Sequence, residues 1–396
     1  MADGKQKYSG VLEKKWTSVI RLQKKVLDLE KQTQVLQEEI ASAPVRKATS
    51  SVDWIPRPPE RFSLTGHRGV VTGVSFHPVF SVIATSSEDA TVKIWDYETG
   101  DFERTLKGHT NAVQDVAFDP SGRYAASCSA DMSVKLWDTQ DEYKCVKTLQ
   151  GHDHNVSGVA FISAQHLVSC SRDNTIRVWQ IATGYCIRTL KGHTDWVRHV
   201  AVNENGTLIA SCSSDQSVRV WDPMSDAGDA KMELYGHEHV VECVAWAPRS
   251  ANGAIRELLG LPQVKESAPT TGKEGGKESG KESGQQGQQD GPPGTYLVSG
   301  SRDRTMRLWD TITGQCVHTF SGHDNWVRGV AWHPSGKFLL SVSDDKTMRI
   351  WEVKSGRNVK TYDAHAHFCT AIAFNGKSPV VATGSVDQTA KIWECR

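Results

Sequence analysis

Short stretches of alternating apolar and polar residues recur along residues 61–396. Residues 113, 115 and 117 lie on one face of such a stretch and residues 114, 116 and 118 on the other, which is typical of a β-strand. A Pro-Ser-Gly turn at 120–122 follows, and further strands are predicted at 124–129, 133–137 and 145–149, with a turn at Asp131. A unit of 42 residues therefore encodes four short strands, and this unit repeats along the chain.

Three residue types mark the repeat at fixed positions. A Gly-His pair opens each unit, with Ala-His in the seventh, and a Trp follows the His after 28 residues in five units, 27 in the third and 72 in the fifth. An Asp stands six residues before every one of these Trp residues. The His, Asp and Trp of the seven units are His67, Asp89, Trp95; His109, Asp131, Trp137; His152, Asp173, Trp179; His193, Asp215, Trp221; His237, Asp303, Trp309; His323, Asp345, Trp351; and His365, Asp387, Trp393. Seven matches at one offset establish an internal repeat.

This repeat resembles the blade of WD-repeat propellers, which also has four strands and a similar length. The resemblance covers residues 61–396. It implies that the His, Asp and Trp of each unit form one buried hydrogen-bonded network with a strand Ser or Thr, such as Ser127 or Ser129. Such a network is physically reasonable, because a buried imidazole, carboxylate and indole N–H each need a partner.

The two ends of the repeat region predict how the ring closes. The last unit stops just after Trp393 and lacks its own fourth strand, whereas residues 61–64 read as a fourth strand without a unit. Pairing the two removes an exposed sheet edge. We therefore predict an all-β fold, a seven-bladed WD40 β-propeller closed by an N-terminal strand.

The fifth unit contains 44 additional residues between its first two predicted strands. From residue 265 to 294 the insertion repeats Lys, Glu, Ser and Gly and then becomes rich in Gln. Such a composition buries too little apolar surface to become ordered. We predict a disordered loop at 249–294, on the propeller face opposite the Gly-His turns.

Residues 11–41 have a different, heptad pattern. Nine positions form the seam, and they are Leu12, Lys15, Val19, Leu22, Val26, Leu29, Thr33, Leu36 and Ile40. β-Branched residues at one seam position and Leu at the other favour a parallel two-stranded coiled coil, here a weak homodimer. A single amphipathic helix packed on the propeller is the alternative. We expect residues 1–10 to be a disordered start and 42–60, which contain Pro44, Pro56, Pro58 and Pro59, to be a loose linker.

Composition narrows the class of protein. The 46 basic and 46 acidic residues cancel, so the chain lacks the basic field that nucleic acid or an anionic membrane requires, and neither is expected as a partner. No run of 18 apolar residues is present, which argues against membrane insertion. The nine cysteines include no CxxC pair, which indicates a reduced, intracellular protein.

The sequence contains no motif typical of an enzyme. A phosphate loop, a GxSxG elbow and zinc-ligand spacing are all missing from it. Three His-x-His triplets begin at His152, His237 and His365, but their first His already belongs to the blade network, so a metal site is not expected. We predict a protein without catalytic residues, cofactor or metal.

Several longer stretches resemble one WD-repeat family, the lissencephaly/nuclear-distribution family. They are Tyr8-Ser-Gly-Val-Leu-Glu-Lys-Lys-Trp-Thr-Ser-Val-Ile-Arg-Leu-Gln-Lys-Lys, Trp54-Ile-Pro-Arg-Pro-Pro, Glu88-Asp-Ala-Thr-Val-Lys-Ile-Trp-Asp-Tyr-Glu-Thr-Gly-Asp-Phe-Glu-Arg-Thr, Gly151-His-Asp-His-Asn-Val-Ser, Gly322-His-Asp-Asn-Trp-Val-Arg-Gly-Val and Gly384-Ser-Val-Asp-Gln-Thr. The similarity extends over nearly the whole chain. Members of the family normally begin with a small helical dimerisation module. Only residues 1–7 precede Tyr8, so a short form without that module is expected.

The resemblance implies a cytoplasmic adaptor that regulates the grip of the dynein motor on microtubules and serves nuclear migration and spindle positioning. Dynein heavy chain and a nuclear-distribution protein E-type coiled-coil protein are the implied partners, and microtubule plus ends and spindle poles the implied locations. Two alternatives stay open, namely a non-catalytic subunit of a platelet-activating-factor-type acetylhydrolase and a generic WD-repeat scaffold. Fold alone does not choose among them.

The WD resemblance also predicts which side chains reach the face that bears the Gly-His turns. In blades three to seven these positions include large aromatic and arginine side chains, namely Arg172, Trp196, Arg198, Arg302, Trp326, Arg328 and Phe368. Such residues dominate binding hot spots, so this sector is the predicted docking surface for an acidic, helical part of the motor. The alternative is that each Trp packs on a neighbouring loop while each Arg pairs with Glu242 or Asp344.

Overall fold

Seven four-stranded antiparallel sheets make up the described part of the chain, residues 54–225, 228–261 and 295–396 of a computed structural model. In six sheets the four strands are consecutive in the sequence. Each sheet is one blade, and the first strands of successive blades lie side by side around a central cavity. The predicted seven-bladed propeller is confirmed.

The four strands of blade two agree with the predicted ones within one residue at each end. The chain enters at β1 (Phe62–Thr65). Blade one contains β2 (Val71–Phe76), β3 (Val82–Ser87), β4 (Thr91–Asp96) and β5 (Phe102–Lys107). Blade two contains β6 (Val113–Phe118), β7 (Tyr124–Ser129), β8 (Ser133–Asp138) and β9 (Lys144–Gln150), and blade three β10 (Val156–Phe161), β11 (His166–Ser171), β12 (Thr175–Gln180) and β13 (Cys186–Lys191).

The remaining blades follow the same plan. Blade four contains β14 (Val197–Val202), β15 (Ile209–Ser213), β16 (Val218–Trp221) and β17 (Met232–Leu234). Blade five contains β18 (Val241–Trp246), β19 (Tyr296–Ser301), β20 (Thr305–Asp310) and β21 (Cys316–Ser321). Blade six contains β22 (Val327–Trp332), β23 (Phe338–Ser343), β24 (Thr347–Glu352) and β25 (Arg357–Asp363), and blade seven β26 (Cys369–Phe374), β27 (Val380–Ser385) and β28 (Thr389–Glu394).

Strand β1 closes the ring by pairing antiparallel with β28, with Phe62 opposite Ile392. The residues just before it also lie against blade seven, because the Arg57 backbone N–H donates to the Glu394 carbonyl (3.1 Å) and Trp54 packs on the apolar cluster there. Residues 54–60 are thus not the loose linker that the prolines predicted. Trp54 and Ile55 supply apolar surface, and that burial, together with the added backbone hydrogen bonds, orders the segment. The predicted disordered start, coiled coil and rest of the linker, residues 1–53, lie outside the described residues.

The core is a set of apolar clusters between neighbouring blades. One cluster combines Leu136 of blade two with Leu167 and Trp179 of blade three. The second strand of each blade is buried on both of its faces, as in β7, where every residue after Tyr124 is buried. In β7 these buried residues are all small, which lets the two adjacent sheets pack closely on either side.

The insertion in blade five begins with ordered structure. A 3₁₀ turn at Arg249–Ala251 leads into helix α1 (Asn252–Leu258), and Ala251 and Ile255 are fully buried in the cluster shared with blade six. The Ser250 hydroxyl donates to the Pro334 carbonyl at 2.7 Å. The disordered loop predicted from residue 249 therefore starts too early, since apolar residues at helical spacing anchor its first part. Residues 262–294 lie outside the described residues.

Deleting residues 265–294 should change the free energy of unfolding by less than about 1 kcal/mol, the range of ordinary surface changes. The deleted segment begins after the anchoring helix, and closing a long surface loop depends only weakly on its length. Urea denaturation of the full chain and the deletion variant measures the difference. A larger loss would show that the repeat-rich segment packs on the propeller.

None of the helices in the described residues has both the length and the apolar character needed to cross a membrane.

Candidate partner-binding face

The His, Asp and Trp of each blade are joined through one hydroxyl group. In blade one, the His67 ring binds Asp89 through Nδ1 (2.9 Å) and the Thr85 hydroxyl through Nε2 (2.8 Å), and the Trp95 indole N–H donates to the same hydroxyl (2.9 Å). In the other six blades the distance from His Nδ1 to the Asp carboxylate is 2.6–2.9 Å, and that from His Nε2 to the hydroxyl oxygen is 2.7–2.9 Å. The Trp indole nitrogen lies 2.8–3.0 Å from the same hydroxyl oxygen. In blade two the hydroxyl is that of Ser127.

The donor and the acceptor at the carboxylate can be assigned. An ionised Asp can only accept, so His Nδ1–H donates to it. Burial lowers the pKa of His67 despite the neighbouring carboxylate. Burial raises the pKa of Asp89, but hydrogen bonds from Thr91, the Arg68 backbone and His67 outweigh it and hold that pKa at about 2. In blade one the His and the Asp are therefore both engaged in hydrogen bonds within the network.

The Asp of each network holds two loops together on one face of the propeller, namely the loop that follows the His and the turn that follows the Asp. The Asp carboxylate accepts both from the residue after the His and from the residue two positions after itself, as Asp345 does from Asp324 N–H (3.2 Å) and Thr347 N–H (2.9 Å). The residue between Asp345 and Thr347, Lys346, has φ +70°, a left-handed conformation that is costly for non-glycine residues. The carboxylate bonds offset that cost and fix the side chains that flank the turn.

The first tryptophan module consists of His154, Arg172, Trp196 and Arg198 and spans blades three and four. The guanidinium carbons of Arg172 and Arg198 lie 4.9 and 5.2 Å from the Trp196 ring centroid. The His154 ring packs beside the indole, with 6.1 Å between centroids. Trp196 is 39% exposed in spite of these neighbours. The indole is thus held in place while part of its surface remains open to a partner.

The second tryptophan module consists of His239, Arg302, Trp326 and Arg328 and repeats this arrangement across blades five and six. Arg302 and Arg328 lie 4.2 and 5.1 Å from the Trp326 centroid, and the His239 ring is 6.5 Å away. In each module the first blade supplies a His and an Arg, and the next blade supplies Trp-x-Arg. The two modules and Phe368, which is 36% exposed, form what we call the aromatic face.

The two modules differ in charge. Arg302 pairs with Glu242, and Arg328 donates to Asp344 at 2.9 and 3.1 Å, so the alternative in which the arginines pair with these acids holds for the second module. In the first, Arg198 donates to the Ser214 hydroxyl at 2.8 Å. Within the described residues neither Arg172 nor Arg198 forms an ion pair, so the first module carries uncompensated positive charge.

The pKa of Arg198 reflects its burial and the neighbouring charges. Burial lowers it, Glu242 raises it, and the nearby Arg302 and Arg172 lower it further. The pKa of Arg328, in contrast, is raised, because Asp344 and Glu242 outweigh the effect of burial. An acidic group placed against the first module would relieve the repulsion there.

Sequence reasoning missed His154 and His239 as members of this face. Both are the second His of a His-x-His triplet, and each triplet lies one blade before a Trp-x-Arg sequence. That spacing was the available signal. Across the ranges that the structure describes, no three His, Cys, Asp or Glu residues are placed to share a metal ion.

A cavity of about 440 Å³ lies at the centre of the ring, below the aromatic face. It is lined by Arg172, Arg198 and Arg328, and also by Asp115 and His199. Asp115 accepts hydrogen bonds from the backbone N–H groups of Val116 (2.8 Å) and Val159 (3.1 Å). Burial raises its pKa to about 7, whereas burial lowers the pKa of His199 to about 4.

Asp115 should make the propeller less stable as the pH rises through 7. Its folded pKa lies above the ordinary value of 3.8, so the folded state holds a proton that the unfolded state releases, and this stabilisation is lost as that proton dissociates. Between pH 6.5 and 8 the loss is about 1 kcal/mol. Asp115→Asn should remove this dependence, as measured by urea denaturation at several pH values; the same slope in both proteins would contradict it. His199 titrates below this window and serves as the internal control.

Comparison with known proteins agrees with this architecture. The WD domain, G-beta repeat family matches residues 59–96, 100–138, 143–180, 184–222, 291–310, 314–352 and 356–394. A nuclear distribution protein PAC1 of Coprinopsis cinerea is 51% identical over 330 residues, which cover 83% of this chain and 70% of the relative. A protein of the same name from Coccidioides posadasii is 46% identical over 340 residues, 82% of this chain and 67% of the relative.

Proposed function

This chain belongs to the WD-repeat family of nuclear distribution proteins PAC1, and we propose that it acts in nuclear distribution as an adaptor that regulates cytoplasmic dynein. Dynein heavy chain is the proposed direct partner, and a nuclear-distribution protein E-type coiled-coil protein is the second. The cytoplasm, with microtubule plus ends and spindle poles, is the proposed location. The lissencephaly-type motifs carried by the whole chain support this assignment.

The observation that carries the proposal is the pair of tryptophan modules on one face. A half-exposed indole between two guanidinium groups offers both apolar contact and positive charge, the combination found at binding hot spots. Blades one and two have Val70, Glu88, Ala112 and Ala130 at the corresponding positions, so the predicted contact is confined to blades three to seven. An acidic helical surface fits this sector, because carboxylates can pair with Arg172 and Arg198.

Affinity purification of the tagged full chain from its own cells tests the assignment. We expect dynein heavy chain to be recovered with it. Recovery of a serine esterase without dynein would favour the acetylhydrolase-subunit alternative, and recovery of neither would leave a general scaffold.

Self-association through residues 11–41 is a separate part of the proposal. Leu22→Asp combined with Leu29→Asp should convert the weak dimer to a monomer, because the change places two charges in the apolar seam. Sedimentation of both proteins over a range of concentrations measures this. Lys31→Asp, which changes a residue off the seam, is the control. A tight dimer that survives the seam change would contradict the coiled coil.

A further inference from the structure

Strands β4 and β5 of blade one border a basic pocket whose three cationic side chains do not occur together at the equivalent positions of any other blade. Its volume is about 310 Å³, and Arg68, Lys93, Lys107, Thr91 and Thr105 line it, with Asp89 and Gly66 at its base. Strands β4 and β5 build it directly, since Thr91 lies opposite Lys107 and Lys93 opposite Thr105. Residues two apart on a strand share a face, so these four side chains project from the same side of the sheet.

The cations in this pocket are poorly compensated. Lys93 donates to the Thr105 hydroxyl at 2.9 Å, and in the described residues neither Arg68 nor Lys107 forms an ion pair through its side chain. Asp89, the carboxylate at the base, already accepts from His67 and Thr91. Burial lowers the pKa of Lys93, Asp89 raises it, and Lys107 and Arg68 lower it further.

The sevenfold repeat provides internal comparisons for each position. The position of Lys93 is basic in every blade, but its neighbours differ. In blade six Arg349 is paired with Asp324 (3.2 Å), and in blade seven Lys391 is paired with Glu60 (2.8 Å). In blade three Asp153 stands where blade one has Arg68. A basic residue at the position of Lys93 is therefore common to all blades, whereas the combination of Arg68 and Lys107 beside it occurs only in blade one.

We propose that this pocket of blade one binds a phosphate group. A phosphate monoester carries a charge of about −1.5 to −2 at neutral pH and several acceptor oxygens, which matches two ammonium groups and one guanidinium around a concave site. The Thr105 hydroxyl accepts from Lys93 and so keeps its own proton to donate. Arg68 and Lys107 are exposed at the rim, which suits a phosphorylated side chain presented by a protein segment.

Binding of a fluorescein-labelled Gly-Ser-Gly-phosphoSer-Gly-Ser-Gly peptide to the full chain, followed by anisotropy at low ionic strength, tests the site. Arg68→Gln with Lys107→Gln should weaken binding at least tenfold. Both side chains are exposed and form no ion pair with any described residue, so the melting temperature should not change. Lys135→Gln and Lys191→Gln remove the equivalents of Lys93 and Lys107 in blades two and three and should alter the affinity less than twofold.

Inorganic phosphate is a further probe, which distinguishes the source of the phosphate group. Inorganic phosphate that binds as tightly as the peptide would assign the site to free phosphate. Much weaker binding of inorganic phosphate would assign it to a phosphorylated segment. The proposal is overturned if the peptide with Ser or Glu in place of phosphoserine binds equally well. It is also overturned if the blade-one variant loses no more affinity than the two control variants. Dynein recovery is unaffected by either result, since the tryptophan modules lie on other blades.

Discussion

Replacing Trp326 or Arg198 with Ala should weaken binding of dynein by about 1–3 kcal/mol, which is the usual range for a hot-spot residue. Trp326 supplies the indole of the second tryptophan module, and Arg198 supplies an unpaired cation to the first. The affinity of the purified chain for the dynein motor domain, measured at fixed salt, gives the effect of each change.

Both substitutions should leave the melting temperature close to that of the unchanged protein. The Asp344 backbone N–H donates a hydrogen bond to the Trp326 backbone carbonyl, and Trp326→Ala retains that carbonyl. Arg302 and Arg328 are less suitable for this test. Removal of Arg328 would take the ion pair from the buried Asp344, and removal of Arg302 would leave the buried Glu242 with only the longer contact to Arg328 (3.6 Å). Gln114→Ala, at the corresponding position in blade two, is the control and should bind normally. Normal dynein binding by both test variants would exclude the aromatic face as the docking site.

Asp345→Ala should lower the free energy of unfolding by about 3–5 kcal/mol, because several buried donors lose their acceptor at a cost of about 1–3 kcal/mol each. The Asp345 carboxylate accepts from His323 (2.6 Å) and from both the N–H (2.9 Å) and the hydroxyl (2.6 Å) of Thr347. Without it, these donors lose their acceptor inside blade six, and the left-handed turn at Lys346 loses its support. Urea denaturation is the measurement.

Asp324→Ala is the matched control for this change. Asp324 also pairs with Arg349, but its side chain is 84% exposed, so its removal should cost less than about 1 kcal/mol. Equal losses for the two variants would mean that the repeated carboxylate contributes only surface charge. A large loss for Asp345→Ala alone would show that the buried hydrogen bonds carry the stability.

The repeat and its resemblance to WD-repeat blades were sufficient to predict the propeller. The period gives the number of units and their strands, the two ends give the closing pair of strands, and the resemblance implies the network of His, Asp and Trp. The aromatic face was predicted from the same resemblance, since equivalent positions in aligned blades project from the same face.

Contacts between blades were not available from the pattern. Side-chain distances between residues distant in the sequence decide that Arg172 and His154 pack against Trp196. They also decide that Arg302 pairs with Glu242, whereas Arg198 donates to the Ser214 hydroxyl. Local composition was likewise misleading at residues 54–60 and 249–258, where proline content and proximity to a low-complexity segment suggested disorder. Burial of Trp54 and Ile55 on blade seven and of Ile255 on blade six orders these segments. Only the tertiary structure decides such cases, because the stabilising surface belongs to residues far away in the sequence.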